Sequence, residues 1–131
     1  MLTSENTLLL VVDVQGRLAH VMNEKEVLFR SMINMINGAR VLGIKTLVTE
    51  QNPQGLGPTI PELREHLNDI EPISKFSFSC CDNEQFMQEL NSANPENIAI
   101  AGIESHICVY QTARDLVKLQ YNVEILSDAV S

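Results

Sequence analysis

The sequence has 131 residues, a length that suits one hydrophobic core and is short for two domains. Its composition, 44% hydrophobic and 20% charged with no tryptophan, is typical of globular proteins rather than disordered or fibrous ones. The formal net charge of -8 opposes binding to phosphate backbones and anionic headgroups, so we expect neither nucleic acid nor a membrane as a partner.

The cysteines and the N-terminal segment point to a reducing compartment. Cys80, Cys81 and Cys108 are an odd number with two adjacent, which is not the pattern of a disulfide framework. The apolar run over residues 8–12 is too short for a secretory signal and has no basic residues before it. We therefore expect reduced thiols in a cytoplasmic protein. The spacing of histidines and cysteines matches no metal-binding motif, so we expect no metal and no cofactor.

The first half of the chain predicts a strand, a helix and a second strand. The run TLLLVVD (7–13) suits a strand buried on both faces of a parallel sheet. Apolar residues then recur at helical spacing between a candidate cap at Asn23 and a stop at Gly43. A second strand is predicted over 45–50, and the glycine- and proline-rich segment NPQGLGP (52–58) predicts a loop.

The second half repeats the alternation of strands and helices. The predicted elements are a short helix (61–67), an extended piece (71–75), a helix (86–90), a strand (97–101), a helix capped by Ser105, and a last strand (123–126). This alternation predicts one α/β domain over residues 1–131, a three-layer α/β/α sandwich with a mostly parallel, Rossmann-like sheet.

Reactive residues follow the predicted strands. Asp13 ends the first strand, Glu50 the second and Lys75 the third extended piece, while the fourth strand leads through Gly102 to Cys108. Ligands of open parallel sheets bind beyond the carboxyl ends of the strands. The sequence therefore predicts a crevice that contains a carboxylate, an ammonium group and a thiol.

Cys108 is the candidate nucleophile. With Ser105 as the cap it falls in the first turn of a helix, where free N–H groups and the helix dipole favour a thiolate. A nearby ammonium would lower the thiol pKa, and a carboxylate would accept the proton. From the residues alone a different interpretation stays open, with Cys108 as packing, Asp13 as a turn residue and Lys75 as a solvated one.

Several segments in order resemble the isochorismatase-like cysteine hydrolase family, in its branch of isochorismatase-domain proteins of unsettled substrate. The resemblance spans residues 8–131 and rests on TLLLVVDVQ, KTLVTEQNPQGLGPTIPEL, ISKFSFSC, AGIESHICVYQTARDL and YNVEILSDAVS. It implies a hydrolase with Asp13 as general base, Lys75 as the lysine that stabilises the thiolate, and Cys108 as nucleophile. It also implies a non-proline cis peptide before Glu104, whose N–H would form an oxyanion hole with that of Cys108.

The resemblance narrows the substrate class to a small molecule with a C–N (amide) bond, cleaved through a thioester. Family members that act on isochorismate lack the cysteine, and the zinc-dependent nicotinamidases carry an Asp-x-His motif and a further histidine where this chain has residues 50–52. A metal-free amidase is therefore expected. The motifs place seven residues near the crevice as candidate substrate contacts: Gln15, Glu50, Gln51, Leu56, Phe76, Phe78 and His106. Core packing of the phenylalanines and solvent exposure of His106 are the alternatives.

The C-terminal end differs from the family pattern. Relatives usually continue past the DAVS segment with another helix and strand, so we expect the domain to lack these elements and a homo-oligomer to cover the sheet edge. Two other functions compete with hydrolysis. A catalytically silent scaffold or binding module stays open, whereas a phosphoacceptor domain is disfavoured because no acidic residues adjoin Asp13 to hold magnesium.

Overall fold

One parallel sheet organises the chain, and its strands lie in the order β3-β2-β1-β4-β5. The structure is a computed structural model that describes residues 3–131. The strands are β1 (Thr7–Val12), β2 (Lys45–Gln51), β3 (Ile73–Lys75), β4 (Asn97–Gly102) and β5 (Asn122–Val130).

Helices connect the strands and cover the sheet. They are α1 (Gly16–His20), α2 (Lys25–Leu42), α3 (Pro53–Leu56), α4 (Pro61–Arg64), α5 (Glu84–Ala93) and α6 (Tyr110–Lys118), with a 3₁₀ turn at Cys80–Asp82 and a π-helical turn at Ser105–Val109. Within residues 3–131, no helix is both long and apolar enough to cross a lipid bilayer.

Alternating side chains of β1 build a core on each face of the sheet. Leu9 belongs to the cluster that contains Met32 of α2, whereas Leu10 belongs to the opposite cluster with Phe86 of α5 and Leu116 of α6. All six residues of β1 are buried, as a strand covered on both faces requires. The expected three-layer α/β/α sandwich is confirmed, and the described sheet is parallel throughout.

The sequence missed two short helices and misplaced two helix starts. α1 was not predicted, and α3 forms one turn inside the predicted loop, because helices of four or five residues carry no periodic signal. Glu24 with φ 50° precedes α2 in place of the expected cap, Asn23. The turn that bears Cys108 begins after Glu104, one residue before the expected cap.

The strand order fixes where a ligand crevice can form. β1 lies between β2 and β4, and the chain reverses its direction of winding between β1 and β4. Ligands of such sheets bind at this switch point, beyond the carboxyl ends of the strands. Asp13 and the segment from Gly102 to Cys108 directly follow these two strands.

Gly102 allows β4 to approach β1 closely at this point. Its φ is +146°, and an added Cβ would lie 2.3 Å from the carbonyl oxygen and 2.8 Å from the nitrogen of Val12. These are backbone atoms that cannot rotate away, so a side chain would separate the two strand ends.

We expect Gly102→Ala to lower the free energy of unfolding by about 2 to 3 kcal/mol, because the new methyl group meets backbone in a conformation that side chains disfavour. Gly38→Ala in α2 is the matched control, since a Cβ there meets nothing within 4 Å. It should raise stability by about 0.5 to 1 kcal/mol. Urea unfolding measures both, and equal effects of the two substitutions would contradict the close approach.

Candidate active site

Asp13 leaves the sheet at the end of β1 and is held there by its backbone. It has a left-handed φ of 55°, and its N–H donates to the carbonyl of Thr49 at 3.1 Å. Aspartate is among the few residues that adopt this region readily. Only 3% of the residue is exposed, so its carboxylate needs partners within the protein.

Lys75 supplies the main partner. The residue ends β3 with 0% exposure, and its Nζ donates to Oδ2 of Asp13 at 2.7 Å. The other two protons of the ammonium go to the carbonyls of Ser77 and Phe78, each at 2.9 Å. The buried cation is thus fully bonded, and it has no proton left to donate to a ligand.

Cys108 completes the group. It lies in the π-helical turn and is 6% exposed, and its thiol interacts with the carboxylate of Asp13. Burial and the negative charge of Asp13 raise the pKa of the Cys108 thiol to about 12, although Lys75 acts in the opposite direction. Both effects favour the protonated thiol, whereas the position in the first turn of a helix was expected to favour the thiolate.

The three residues that the sequence selected at the strand ends thus lie together. Lys75 and Cys108 both contact the carboxylate of Asp13, although up to 95 positions separate them along the chain. Such a buried acid, cation and thiol can generate a nucleophile, since the carboxylate is placed to accept the proton of the thiol.

Thr49 adjoins the carboxylate, and Cys80 lies behind Thr49; the sequence predicted neither as a site residue. Thr49 is 0% exposed and donates its hydroxyl proton to Oδ1 of Asp13 at 2.8 Å. Cys80 lies behind it, with its sulfur 3.8 Å from the hydroxyl oxygen of Thr49. Burial raises the pKa of the Cys80 thiol to about 11. The alternation of β2 places Thr49 on the same face as buried Leu47, which is the signal that could have identified it.

Two of the expected substrate contacts instead tie the neighbouring loop to the strand ends. The side chain of Gln15 is 0% exposed, and its Oε1 accepts the backbone N–H of Gln51 at 2.7 Å. Its Nε2 donates to the carbonyl of Gln51 at 3.1 Å and to the carbonyl of Gly57 at 2.7 Å. Glu50 accepts hydrogen bonds from the backbone and the hydroxyl of Thr59, at 2.6 and 2.7 Å. Their polar atoms therefore shape the wall of the crevice.

The remaining expected contacts lie at the surface. Phe76 and Phe78, on the segment that follows Lys75, are 81% and 51% exposed, so neither packs in the core. Leu56 is 38% exposed, and His106 is exposed in the turn that bears Cys108. The side chain of Gln51 donates to the carbonyl of Phe76 at 3.3 Å and so bridges the ends of β2 and β3. Their contact with a substrate stays a prediction.

The turn before Cys108 presents backbone donors. The peptide bond between Ile103 and Glu104 is cis, and within residues 3–131 the N–H of Glu104 donates to no protein acceptor. The next N–H, of Ser105, is bonded to the carbonyl of Ser131 at 2.7 Å. The N–H of Glu104 is therefore available to an added acceptor near Cys108.

The site is small. A groove of about 580 Å³ lined by Gly16, His20, Val21 and Pro61 lies elsewhere on the surface, and neither Asp13 nor Cys108 borders it. With Cys108 only 6% exposed, a ligand would have to offer a small reactive group to the sulfur. The described residues contain no group of three histidine, cysteine or acidic side chains placed to hold a metal ion.

The sequence matches a known protein family and a curated relative over almost its whole length. The family model described as the isochorismatase domain matches residues 7–131. Isochorismatase domain-containing protein 2 of Bos taurus is 37% identical over 130 residues, which cover 95% of this chain and 59% of the bovine protein. The chain thus spans about three fifths of the length of this curated relative.

Solved structures show the same fold. The MAR1 ribonuclease of Caenorhabditis elegans is 36% identical and superposes with a TM-score of 0.91, over 99% of this chain and 67% of that one. YcaC of Pseudomonas aeruginosa, solved with hexane-2,5-diol and covalent acrylamide, is 25% identical with a TM-score of 0.88, over 99% of this chain and 66% of that one. The match of the family model over nearly the whole chain establishes that this chain belongs to the isochorismatase family.

Proposed function

We propose that the protein is a cysteine-dependent hydrolase of a small-molecule C–N (amide) bond. The observation that carries the proposal is the meeting of three groups: the buried carboxylate of Asp13 is held by Lys75 at 2.7 Å, and the Cys108 thiol interacts with the same carboxylate. A thiol beside a fixed base and a cation is the arrangement that covalent catalysis by cysteine requires.

In the proposed reaction, Asp13 accepts the proton of Cys108 as the sulfur attacks the carbonyl carbon of the amide. The carbonyl electron pair moves to oxygen, and the resulting oxyanion accepts hydrogen bonds from the backbone N–H groups of Glu104 and Cys108. When the C–N bond breaks, Asp13 gives its proton to the leaving nitrogen, and a thioester remains on Cys108. Asp13 then takes a proton from water, whose oxygen attacks the thioester carbon. The C–S bond breaks, Asp13 returns the proton to the sulfur, and the carboxylic acid product leaves.

The roles of the two charged residues differ. Lys75 has all three of its protons engaged, so it acts through its charge, which stabilises the thiolate as it forms. Asp13 carries the proton in both directions. Because the thiol has a pKa of about 12, the thiolate forms only as the proton passes to Asp13. No step of this scheme calls for a cofactor.

The acrylamide bound covalently in the YcaC structure supports a nucleophile that small molecules can reach in that relative, because the activated double bond of acrylamide is a target of thiolates. The ribonuclease name of the nematode relative favours RNA as a second candidate. The net charge of -8 and the full internal bonding of Lys75 weigh against it, because phosphate contacts need free cationic donors. The silent scaffold remains the third alternative.

A homo-oligomer is part of the proposal. β5 forms one edge of the described sheet, and Ile125 on that strand is 48% exposed. Val117 of the adjacent α6 is 59% exposed. An exposed strand edge flanked by apolar side chains favours burial against another subunit.

We expect Cys108→Ser to lower the hydrolysis of small primary amides by at least about a thousandfold, because a serine hydroxyl is far harder to deprotonate at this site. A panel of acetamide, propionamide, benzamide and a short RNA, with ammonia or fragment release as the readout, makes the measurement. Cys81→Ser is the control, and its hydrolysis rate should stay within about twofold of wild type, since Cys81 is not one of the three proposed catalytic residues. Hydrolysis that survives Cys108→Ser would refute the nucleophile, and cleavage of RNA alone would refute the substrate class.

We expect Asp13→Asn to speed alkylation of Cys108 while it abolishes hydrolysis. The negative charge of Asp13 raises the thiol pKa, so its removal lowers that pKa and increases the thiolate population at every pH below it. At fixed pH the alkylation rate should rise about threefold for each unit by which the thiol pKa falls, because the larger thiolate population is offset in part by lower nucleophilicity. Labelling with iodoacetamide and peptide mass spectrometry measures the rate. A slower alkylation would contradict the contact between the two residues.

We expect Lys75→Met to lower the free energy of unfolding by about 3 to 5 kcal/mol and to abolish hydrolysis, because it leaves the buried Asp13 without its cation. Lys45→Met is the matched control. Lys45 forms an exposed pair with Glu89 at 3.8 Å, and its loss should change stability by less than about 1 kcal/mol. Urea unfolding compares the two variants, and equal losses would show that the buried pair does not stabilise the fold.

A further inference from the structure

Thr49 holds Asp13 by two contacts. Its hydroxyl donates to Oδ1 of the carboxylate at 2.8 Å, and its carbonyl accepts the backbone N–H of Asp13 at 3.1 Å. The residue lies in β2, paired with Val12 of β1, and it is 0% exposed. A buried threonine that bonds both the main chain and the side chain of one residue restricts the position of that residue.

The direction of the hydroxyl is set from behind. The thiol of Cys80 donates to the hydroxyl oxygen of Thr49 at 3.8 Å, so the hydroxyl proton is free to point at Asp13. Cys80 is itself fixed, because its N–H donates to the hydroxyl of Thr112 at 2.9 Å. A carboxylate can only accept, and the chain of donors therefore runs from Cys80 through Thr49 to Asp13.

The two oxygens of the carboxylate thus have separate anchors. Lys75 bonds Oδ2 at 2.7 Å and Thr49 bonds Oδ1 at 2.8 Å. With one of these hydrogen bonds alone, the carboxylate could rotate about the Cβ–Cγ bond of Asp13. With both, the plane of the carboxylate is fixed, and the thiol of Cys108 meets it in one orientation.

We infer that Thr49 is a positioning residue, which fixes the Asp13 carboxylate for proton exchange with Cys108 by anchoring its second oxygen. The inference rests on the proposed function, in which Asp13 is the base for Cys108. Thr49 acts through Asp13, since its hydroxyl proton is committed to that carboxylate.

Loss of the hydroxyl should change the thiol through the carboxylate. The ionisable groups that face Cys108 are Asp13 after β1, Lys75 of β3 and Cys80 of the 3₁₀ turn. Without Thr49, Asp13 has one donor fewer, and its hold on the proton of Cys108 becomes stronger. The thiolate population then falls, so alkylation of Cys108 should slow.

The test is a double-mutant cycle with iodoacetamide as the probe and the alkylation rate of Cys108 over mildly alkaline pH as the readout. We expect Thr49→Val to slow alkylation about threefold, the effect of a rise of about one unit in the thiol pKa. Thr49→Ser keeps the hydroxyl and should restore the wild-type rate. In an Asp13→Asn background, Thr49→Val should have no effect on the rate, because the group through which it acts is gone.

Thr59→Val is the matched control for loss of a buried threonine hydroxyl that bonds a carboxylate. Thr59 is 3% exposed, and its hydroxyl donates to the carboxylate of Glu50 at 2.7 Å rather than to Asp13. It should leave the alkylation rate within about twofold of wild type even where it lowers stability as much as Thr49→Val does. Urea unfolding of all variants shows whether each is folded under the conditions of labelling.

The outcomes separate this inference from the proposed function. A wild-type rate in Thr49→Val, or an equal slowing in Thr59→Val or in the Asp13→Asn background, would overturn the positioning role. An Asp13→Asn variant that alkylates at the wild-type rate would instead overturn the pairing of Asp13 with Cys108, and with it the proposed function. Slowing in Thr49→Val alone, with rescue by serine, supports the inference.

Discussion

The ion pair between Lys75 and Asp13 is the contact on which the candidate site depends. Both side chains are almost fully removed from water, at 0% and 4% exposure, so neither charge is tolerable without the other. The pair joins the end of β3 to the end of β1 across β2, and the carbonyls of Ser77 and Phe78 occupy the rest of the ammonium. Lys75 therefore acts only through its charge, and the carboxylate of Asp13 is the group that can exchange a proton.

The same burial accounts for the state of Cys108. A low-dielectric environment and a neighbouring carboxylate both favour the neutral thiol, and one lysine does not outweigh them. A protonated thiol resists oxidation and stray alkylation better than a thiolate does. The nucleophile would then form only when a carbonyl carbon is in reach and the developing oxyanion finds its donors at Glu104 and Cys108.

The sequence predicted the fold class and the main site residues because both depend on strong local patterns. Continuous apolar runs identify buried parallel strands, and the topology of such sheets brings Asp13, Lys75 and Cys108 to one edge. Thr49 escaped notice because a threonine in a strand is ordinary, and only the register of β2 beside β1 shows what its hydroxyl meets. Gln15 and Glu50 were expected at the substrate, but their bonds to Gly57 and Thr59 depend on a loop path that no local pattern encodes.

Infrared difference spectroscopy can show whether Cys108 rests as a thiol that donates to Asp13. The spectrum of wild-type protein minus that of Cys108→Ala at neutral pH isolates the S–H stretch of this residue. We expect an S–H band, lowered in frequency by donation to a carboxylate, that moves when Asp13 is replaced by asparagine. A difference spectrum with no S–H band, or with a band that ignores the loss of Asp13, would contradict this expectation.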